Sequence, residues 1–180
     1  MLIADALLQG ILMGLLFALV SLGLTVIFGV MDIVNFAHGE FLMLGMYSVY
    51  WANLFFHIDP LIALPVSAVV GVLLGLASYY CFIKYLLRGP AIAQLFGTFG
   101  LMLFLQYFAM FLFSADYRMI DKGLLVGKSL SVGPFIFDWT KLAAGILSLI
   151  AFAVVYYFLH KTKTGKALQA TSLNKEAASY

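Results

Sequence analysis

The sequence predicts an all-α integral membrane protein, a polytopic helical bundle with about five transmembrane helices. Of the 180 residues, 64% are hydrophobic and only 10% are charged, and the mean hydropathy is +1.07. Soluble domains carry about 25% charged residues, so this chain has too few charges for a water-facing surface. Long uncharged segments must also pair their backbone groups internally when they lie in a bilayer, which makes them helices.

The uncharged segments are long enough, or nearly so, to cross a hydrocarbon core of about 30 Å. They are residues 6–30, 41–56, 61–83, 95–113 and 142–159. Because the second is short, we expect its helix to include the preceding polar stretch, over residues 33–56, with a broken start. The first follows no Lys or Arg and exceeds the roughly 7–15 apolar residues of a signal peptide, so it is predicted to remain as a span.

Basic residues in the connections predict the orientation. Lys84 and Arg88 lie between the third and fourth segments, and residues 160–180 are also rich in Lys. Because short basic loops stay in the cytoplasm, we expect these two regions inside and residues 57–60 and 114–138 outside. The polar tail at 160–180 is either a solvated tail or a helix that docks a cytoplasmic partner. The small net charge of +2 gives no indication of a nucleic-acid partner.

Small residues recur at spacings of four on two of the predicted helices. A strip of small side chains lets a neighbouring helix approach closely in a membrane. We therefore expect helix packing within the bundle, with self-dimerisation as the alternative. The residues concerned are Gly10, Gly14, Ser67, Gly71 and Gly75.

A polar island interrupts the otherwise apolar N-terminal third of the chain. It contains Asp32, Asn35, His38, Gly39 and Glu40. The first three polar side chains are spaced to share one face of a helix. One interpretation is a plain cytoplasmic turn. The other is a partly unwound helix that lines a water-filled translocation path, where irregular backbone and ionisable groups are tolerated.

No cofactor or metal is predicted. His38 and Glu40 are too few to form a zinc site by themselves. Residues 123–129 resemble a phosphate-binding loop, but they have three rather than four residues between the glycines. Any dependence on ATP is therefore expected to come from a partner protein.

Residues 23–45, GLTVIFGVMDIVNFAHGEFLMLG, resemble the signature of LivH-type permeases of branched-chain amino acid ABC importers. Residues 87–90 and 95–101, LRGP and LFGTFGL, resemble the family's third-to-fourth helix region. Residues 164–170, TGKALQA, with Asn174 and Ala177, resemble its cytoplasmic coupling loop, although Gln169 stands where many members have Arg.

The resemblance implies a non-enzymatic transport subunit of the bacterial inner membrane, working by alternating access. It implies a second, LivM-like permease subunit, cytoplasmic ABC ATPases and a periplasmic substrate-binding protein as partners, besides the membrane lipid. It also implies a single permease domain over residues 1–180, continuing beyond residue 180, with a coupling segment at 160–180. The ATPase-coupling residues would be Gly165, Ala167, Asn174, Glu176, Ala177 and Ala178.

Other functions remain open at this point. The same superfamily includes permeases for urea and short-chain amides, and more distant sugar permeases. A proton-coupled secondary carrier could use His38 and Glu40 without an ATPase. A purely structural membrane subunit is a third possibility.

Overall fold

The computed structural model describes residues 2–132 and 135–173, which contain six helices and one β-hairpin. The all-α membrane class predicted from composition is confirmed, because four of the helices are long and apolar enough to cross a membrane. The elements are α1 (Leu2–Met31), α2 (His38–Phe56), α3 (Leu64–Leu86), α4 (Ala91–Phe113), β1 (Ser129–Val132), β2 (Phe135–Asp138), α5 (Trp139–Lys161) and α6 (Lys163–Leu173).

Helix α2 is the long helix that does not reach the apolarity of the other four. It begins with His38 and Glu40, and Asn53 lies near its end. Its start differs from the predicted helix at residue 33, because residues 33–37 have no helical structure. The expectation of a broken start is therefore confirmed.

The chain divides into two compact units, and the first joins residues 1–32 to residues 125–180. In this unit α1 packs along α5, and α6 packs against both. Near the start of each helix, Lys141 Nζ donates a hydrogen bond to Gln9 Oε1 at 2.8 Å. One turn further along, a Cβ added at Gly145 would press against the side chain of Leu12. Helices α1 and α5 therefore run in the same direction.

The parallel packing of α1 and α5 constrains how many times the chain crosses the membrane. If both helices span the membrane in the same direction, an odd number of crossings must separate them along the chain. Helices α3 and α4 are two candidate spans, which would leave an even number. A third crossing by α2 makes the count odd, which supports the predicted total of about five spans.

The second compact unit covers Ile33–Leu124 and contains α2, α3 and α4. Helix α3 runs back along α2, and Ser67 Oγ donates a hydrogen bond to the Gly45 carbonyl at 3.1 Å. Helix α4 is parallel to α2. The ring of Tyr47 stacks on Phe113 at 4.6 Å between centroids near one end. Ala37, which directly precedes α2, forms a buried core with Leu101 and Leu105 in the middle of α4.

Two local features differ from the expectation. Residues 129–138 were predicted as irregular loop, but β1 and β2 pair antiparallel there with Ser129 opposite Asp138. Helix α3 begins at Leu64 rather than at residue 61, because Asp59 Oδ1 accepts a hydrogen bond from Leu61 N at 3.0 Å and forms a turn instead. A single π-turn at Tyr79–Ile83 interrupts α3.

Candidate functional site

Helix α1 ends at the first residue of the polar island. Asp32 adopts a left-handed conformation with φ of +60°, and its N–H donates to the Phe28 carbonyl at 2.8 Å. A residue in this conformation stops a helix while still satisfying one of the last carbonyls. Asp32 is exposed.

The segment that follows is not helical and is partly buried. Residues 33, 35 and 37 are inside, with Asn35 only 6% exposed and Ala37 fully buried, while Val34 and Phe36 point outward. This alternation has the two-residue period of an extended chain. The interpretation that Asp32, Asn35 and His38 share one helical face is therefore wrong, because the residues between them are not helical.

Asn35 organises the start of α2 through its side chain. Its Oδ1 accepts a hydrogen bond from the backbone N–H of Ala37 at 3.1 Å, and its own carbonyl accepts one from His38 N at 3.2 Å. A short polar side chain that bonds to the backbone two residues later stabilises a turn at a helix start. Asn35 thus stabilises the turn before α2, and its role in the translocation path stays a prediction.

Thr98 on α4 supports the same break from the opposite side. Its side chain is fully buried, and its Oγ1 donates a hydrogen bond to the Val34 carbonyl at 2.9 Å. Val34 lies outside any helix, so this carbonyl has no intrahelical partner. The sequence interpretation did not identify Thr98 as a site residue. The available signal was a single hydroxyl in an apolar span between Gly97 and Gly100.

The position of Thr98 gives the depth of the break along α4. Helix α4 begins at Ala91, and a rise of about 1.5 Å per residue places Thr98 about 10 Å along the helix axis. The bond to Val34 therefore lies at the eighth of the 23 residues of this candidate span. Irregular backbone at such a depth needs a partner for each polar group.

His38, Gly39 and Glu40 form the first turn of α2. His38 and Glu40 are half-buried and Gly39 is exposed, with open space where a Cβ would stand. The Glu40 carboxylate lies near the N-terminus of α2, where the helix dipole favours negative charge. No group of three or more His, Cys, Asp or Glu side chains suited to a metal occurs among the residues searched, which are those that the structure describes.

The coupling segment begins with a tight turn between α5 and α6. Thr162 Oγ1 donates to the Phe158 carbonyl at 2.6 Å and accepts from Gly165 N at 3.0 Å. Gly165 is buried, and a Cβ there would overlap the main chain of α5, whereas Ala167 is exposed. The other predicted coupling residues lie outside the described residues; they are Asn174, Glu176, Ala177 and Ala178.

The small residues predicted to pack helices have open space beside them. A Cβ added at Gly10, Gly14, Gly71 or Gly75 would meet no atom within 4 Å in the described parts of the chain. Ser67 does contact a neighbouring helix, through its bond to Gly45. The role of the four glycines in packing stays a prediction.

These features define a multi-pass helical membrane protein in which one helix starts from a buried, hydrogen-bonded break. The chain belongs to the family described as branched-chain amino acid transport system / permease component, which matches residues 6–180. This membership confirms the resemblance seen in the sequence. No solved structure matches the chain.

Several curated relatives are similar along most of the chain. It is 29% identical to a probable branched-chain amino acid transport permease protein LivH of Methanocaldococcus jannaschii, over 91% of this chain and 53% of the relative. It is 24% identical to the high-affinity permease protein LivH of Salmonella typhimurium, over 95% of this chain and 59% of the relative. It is also 24% identical to the permease protein BraD of Pseudomonas aeruginosa, over 91% and 57%. The chain thus spans little more than half the length of these relatives.

Proposed function

We propose that this chain is a permease subunit that carries branched-chain amino acids into the cell as part of an ATP-driven importer in the inner membrane. Family membership over residues 6–180 supports the transport class. The relatives' names, which specify branched-chain amino acid transport, support the substrate.

The observation that carries the proposal is the buried break before α2. Asn35 and Thr98 hold the non-helical residues 33–37 about 10 Å along a candidate span. A broken helix exposes main-chain groups and side chains that a continuous helix would hide, and transporters use such breaks to contact their substrates. The first turn of α2 then presents His38, Gly39 and Glu40 to the path, with Asp32 at the end of α1.

The translocation cycle would depend on partners. Two cytoplasmic ATPases would dock near α6, a LivM-like second permease would complete the membrane domain, and a periplasmic binding protein would deliver the amino acid. In the first compact unit α6 packs against both α1 and α5. A Cβ added at Gly29 would lie 3.7 Å from Ser172 Cβ, so this end of α1 is close to α6. Movement of α6 on ATP binding would therefore reach α1 directly.

Uptake by the assembled transporter tests the proposal. The complex is reconstituted into proteoliposomes with its binding protein, and uptake of radiolabelled leucine is measured with ATP or a non-hydrolysable analogue. We expect ATP-dependent uptake that Glu40→Gln lowers strongly, because the substitution removes the charge from the path while keeping the side chain's shape.

The matched control is Asp121→Asn, which removes a carboxylate from an exposed loop position. This variant should transport like the unmodified protein. Uptake driven by a pH gradient without ATP would overturn the proposal in favour of a secondary carrier. Uptake of urea in preference to leucine would show that the proposed substrate class is wrong.

A further inference from the structure

A cavity of about 700 Å³ lies beside the middle of α2, between residues 43–50 of that helix and residues 115–120. We propose that this cavity is a receiving site for a free amino acid with an apolar side chain, on the outer side of the permease. The inference rests on the proposed import function, and it adds a binding site beyond the break. Small-molecule sites typically have volumes of about 300–1,000 Å³, so the size is suitable.

One wall of the cavity is apolar and adaptable. Met43, Met46 and Val49 on α2 contribute to it, together with Ile120. Methionine side chains are flexible and adjust to apolar groups of different shape. Such a wall would accept the side chains of leucine, isoleucine and valine without requiring one branching pattern.

The opposite wall carries one charge of each sign. Asp116 and Arg118 both line the cavity. Among the residues that the structure describes, neither has a salt-bridge partner. A free amino acid carries a carboxylate and an ammonium group on one carbon, so it could neutralise both side chains at once. A ligand with only an apolar body would pair with neither charge.

Arg118 is fixed in place before any ligand arrives. Its Nη2 donates a hydrogen bond to the Phe113 carbonyl at 2.6 Å. Its guanidinium carbon lies 5.6 Å from the ring centroid of Tyr50 and 5.3 Å from that of Trp51. Its Nε is buried and has no acceptor among the described residues. A guanidinium held by two rings and a carbonyl retains donors for a carboxylate and loses little entropy on binding it.

The cavity lies on the same face of α2 as Gly39 of its polar first turn. Gly39, Met43, Met46 and Tyr50 follow each other at spacings of four, three and four residues, which place them on one side of the helix. The last three line the cavity, and the first belongs to the polar first turn of α2. An amino acid bound between Asp116 and Arg118 would thus lie on the same side of α2 as Gly39 in its first turn.

Direct binding to the full complex in lipid nanodiscs, without the binding protein, tests the site. The probe is radiolabelled leucine. We expect Arg118→Gln to raise its Kd at least about tenfold, as loss of a charged hydrogen-bond donor commonly does. Asp116→Asn should also weaken binding, and Met46→Trp, which fills the cavity, should block it. Lys122→Gln removes a positive charge from the same loop outside the cavity and should leave the Kd unchanged.

Two fragments of leucine test the contributions of Asp116 and Arg118 to binding separately. 4-Methylpentanoate has the carboxylate without the amine, and 3-methylbutylamine has the amine without the carboxylate. We expect 4-methylpentanoate to compete with leucine in Asp116→Asn but not in Arg118→Gln, and the amine to show the reverse. If Arg118 only caps the end of α4, Arg118→Gln will lower thermal stability while the folded fraction keeps the original Kd, and the inference is then wrong.

The outcomes distinguish this inference from the proposed function. One outcome is that the unmodified complex imports leucine with ATP while Arg118→Gln and Met46→Trp bind leucine with the same Kd as Lys122→Gln. That result would refute the receiving site and leave the proposed import function intact. Absence of leucine binding without the binding protein also refutes the site. If the unmodified complex neither imports nor binds leucine, the proposed function itself fails.

Discussion

The buried hydroxyl of Thr98 donates a hydrogen bond to the main-chain carbonyl of Val34 at 2.9 Å, across 64 positions in the sequence. The bond joins α4 to the non-helical segment between the first two helices. Its donor is fully buried, so water cannot replace it. The chain can leave helical structure between α1 and α2 because a neighbouring side chain supplies a partner for its main chain.

Thr98→Val should destabilise the break. Valine has nearly the shape of threonine but lacks the hydroxyl, which leaves the Val34 carbonyl without its partner. We expect a loss of about 1 kcal/mol in stability and a clear loss of leucine uptake. Thermal unfolding in detergent and uptake by the assembled complex measure the two effects.

Two variants control for this effect. Thr98→Ser keeps the hydroxyl and should retain most of both stability and uptake. Thr25→Val removes a hydroxyl that bonds only to the Ser21 carbonyl of its own helix, at 2.8 Å. If Thr25→Val and Thr98→Val have equal effects, the bond to Val34 has no special role.

Asn35 should act by accepting a hydrogen bond rather than by contacting the substrate. Asn35→Leu keeps a similar volume but removes the Oδ1 that accepts from Ala37 N, so we expect a loss of about 1–3 kcal/mol in stability. Asn35→Asp retains an acceptor and should be more stable than the leucine variant despite its charge. A leucine variant as stable as the unmodified protein, measured by thermal unfolding, would exclude this role.

Much of the helical architecture was predictable, because a long uncharged segment in the hydrocarbon core of a membrane must pair its own backbone groups and therefore forms a helix. The predicted segment at residues 95–113 lies within α4, and the predicted segment at 142–159 lies within α5. The polar side chains at residues 32–40 also indicated a break before α2. The hairpin at 129–138 was not predicted, since its strands are only four residues long, although Gly133-Pro134 between them is a turn signal in the sequence.

The arrangement of the site was harder to predict from the sequence than the helices were. A helical period is predicted for Asp32, Asn35 and His38, but residues 32–37 are not helical, and hydrogen bonds accepted by Asn35 and donated by distant Thr98 hold them in place. No local rule predicts that a threonine 64 positions away will supply a partner. Arg118 and Asp116 lie in the loop at 114–138 that is predicted to be outside, and the cavity they share depends on how residues 115–120 fold onto α2.

Gly39 offers a direct test of whether the polar island borders water. A Cβ at this exposed position would meet no atom within 4 Å, so Gly39→Cys should fold normally once native Cys81 is replaced by Ser. We expect a charged, membrane-impermeant thiol reagent to label it in one nucleotide state of the complex and not in the other. The reason is that alternating access exposes the path to one side at a time.

Two reference positions define the limits of labelling. Val72→Cys, on an exposed apolar position of α3, should remain unlabelled in lipid, and Tyr117→Cys, at a loop position that is 91% exposed, should react in every state. If Gly39→Cys reacts as completely as Tyr117→Cys in all nucleotide states, the island is a plain turn in bulk water.

Gly165→Ala should uncouple ATP hydrolysis from transport. A methyl group at this buried position would overlap the Phe158 carbonyl and the backbone of Leu159, so the turn held by Thr162 must open and α6 must shift away from α5. We expect the ATPase activity of the complex to lose its stimulation by the loaded binding protein, while leucine uptake falls at least severalfold. Gly100→Ala is the control, since its added Cβ meets nothing within 4 Å. Full stimulation in Gly165→Ala, with uptake equal to that of Gly100→Ala, would show that α6 does not transmit the ATPase motion.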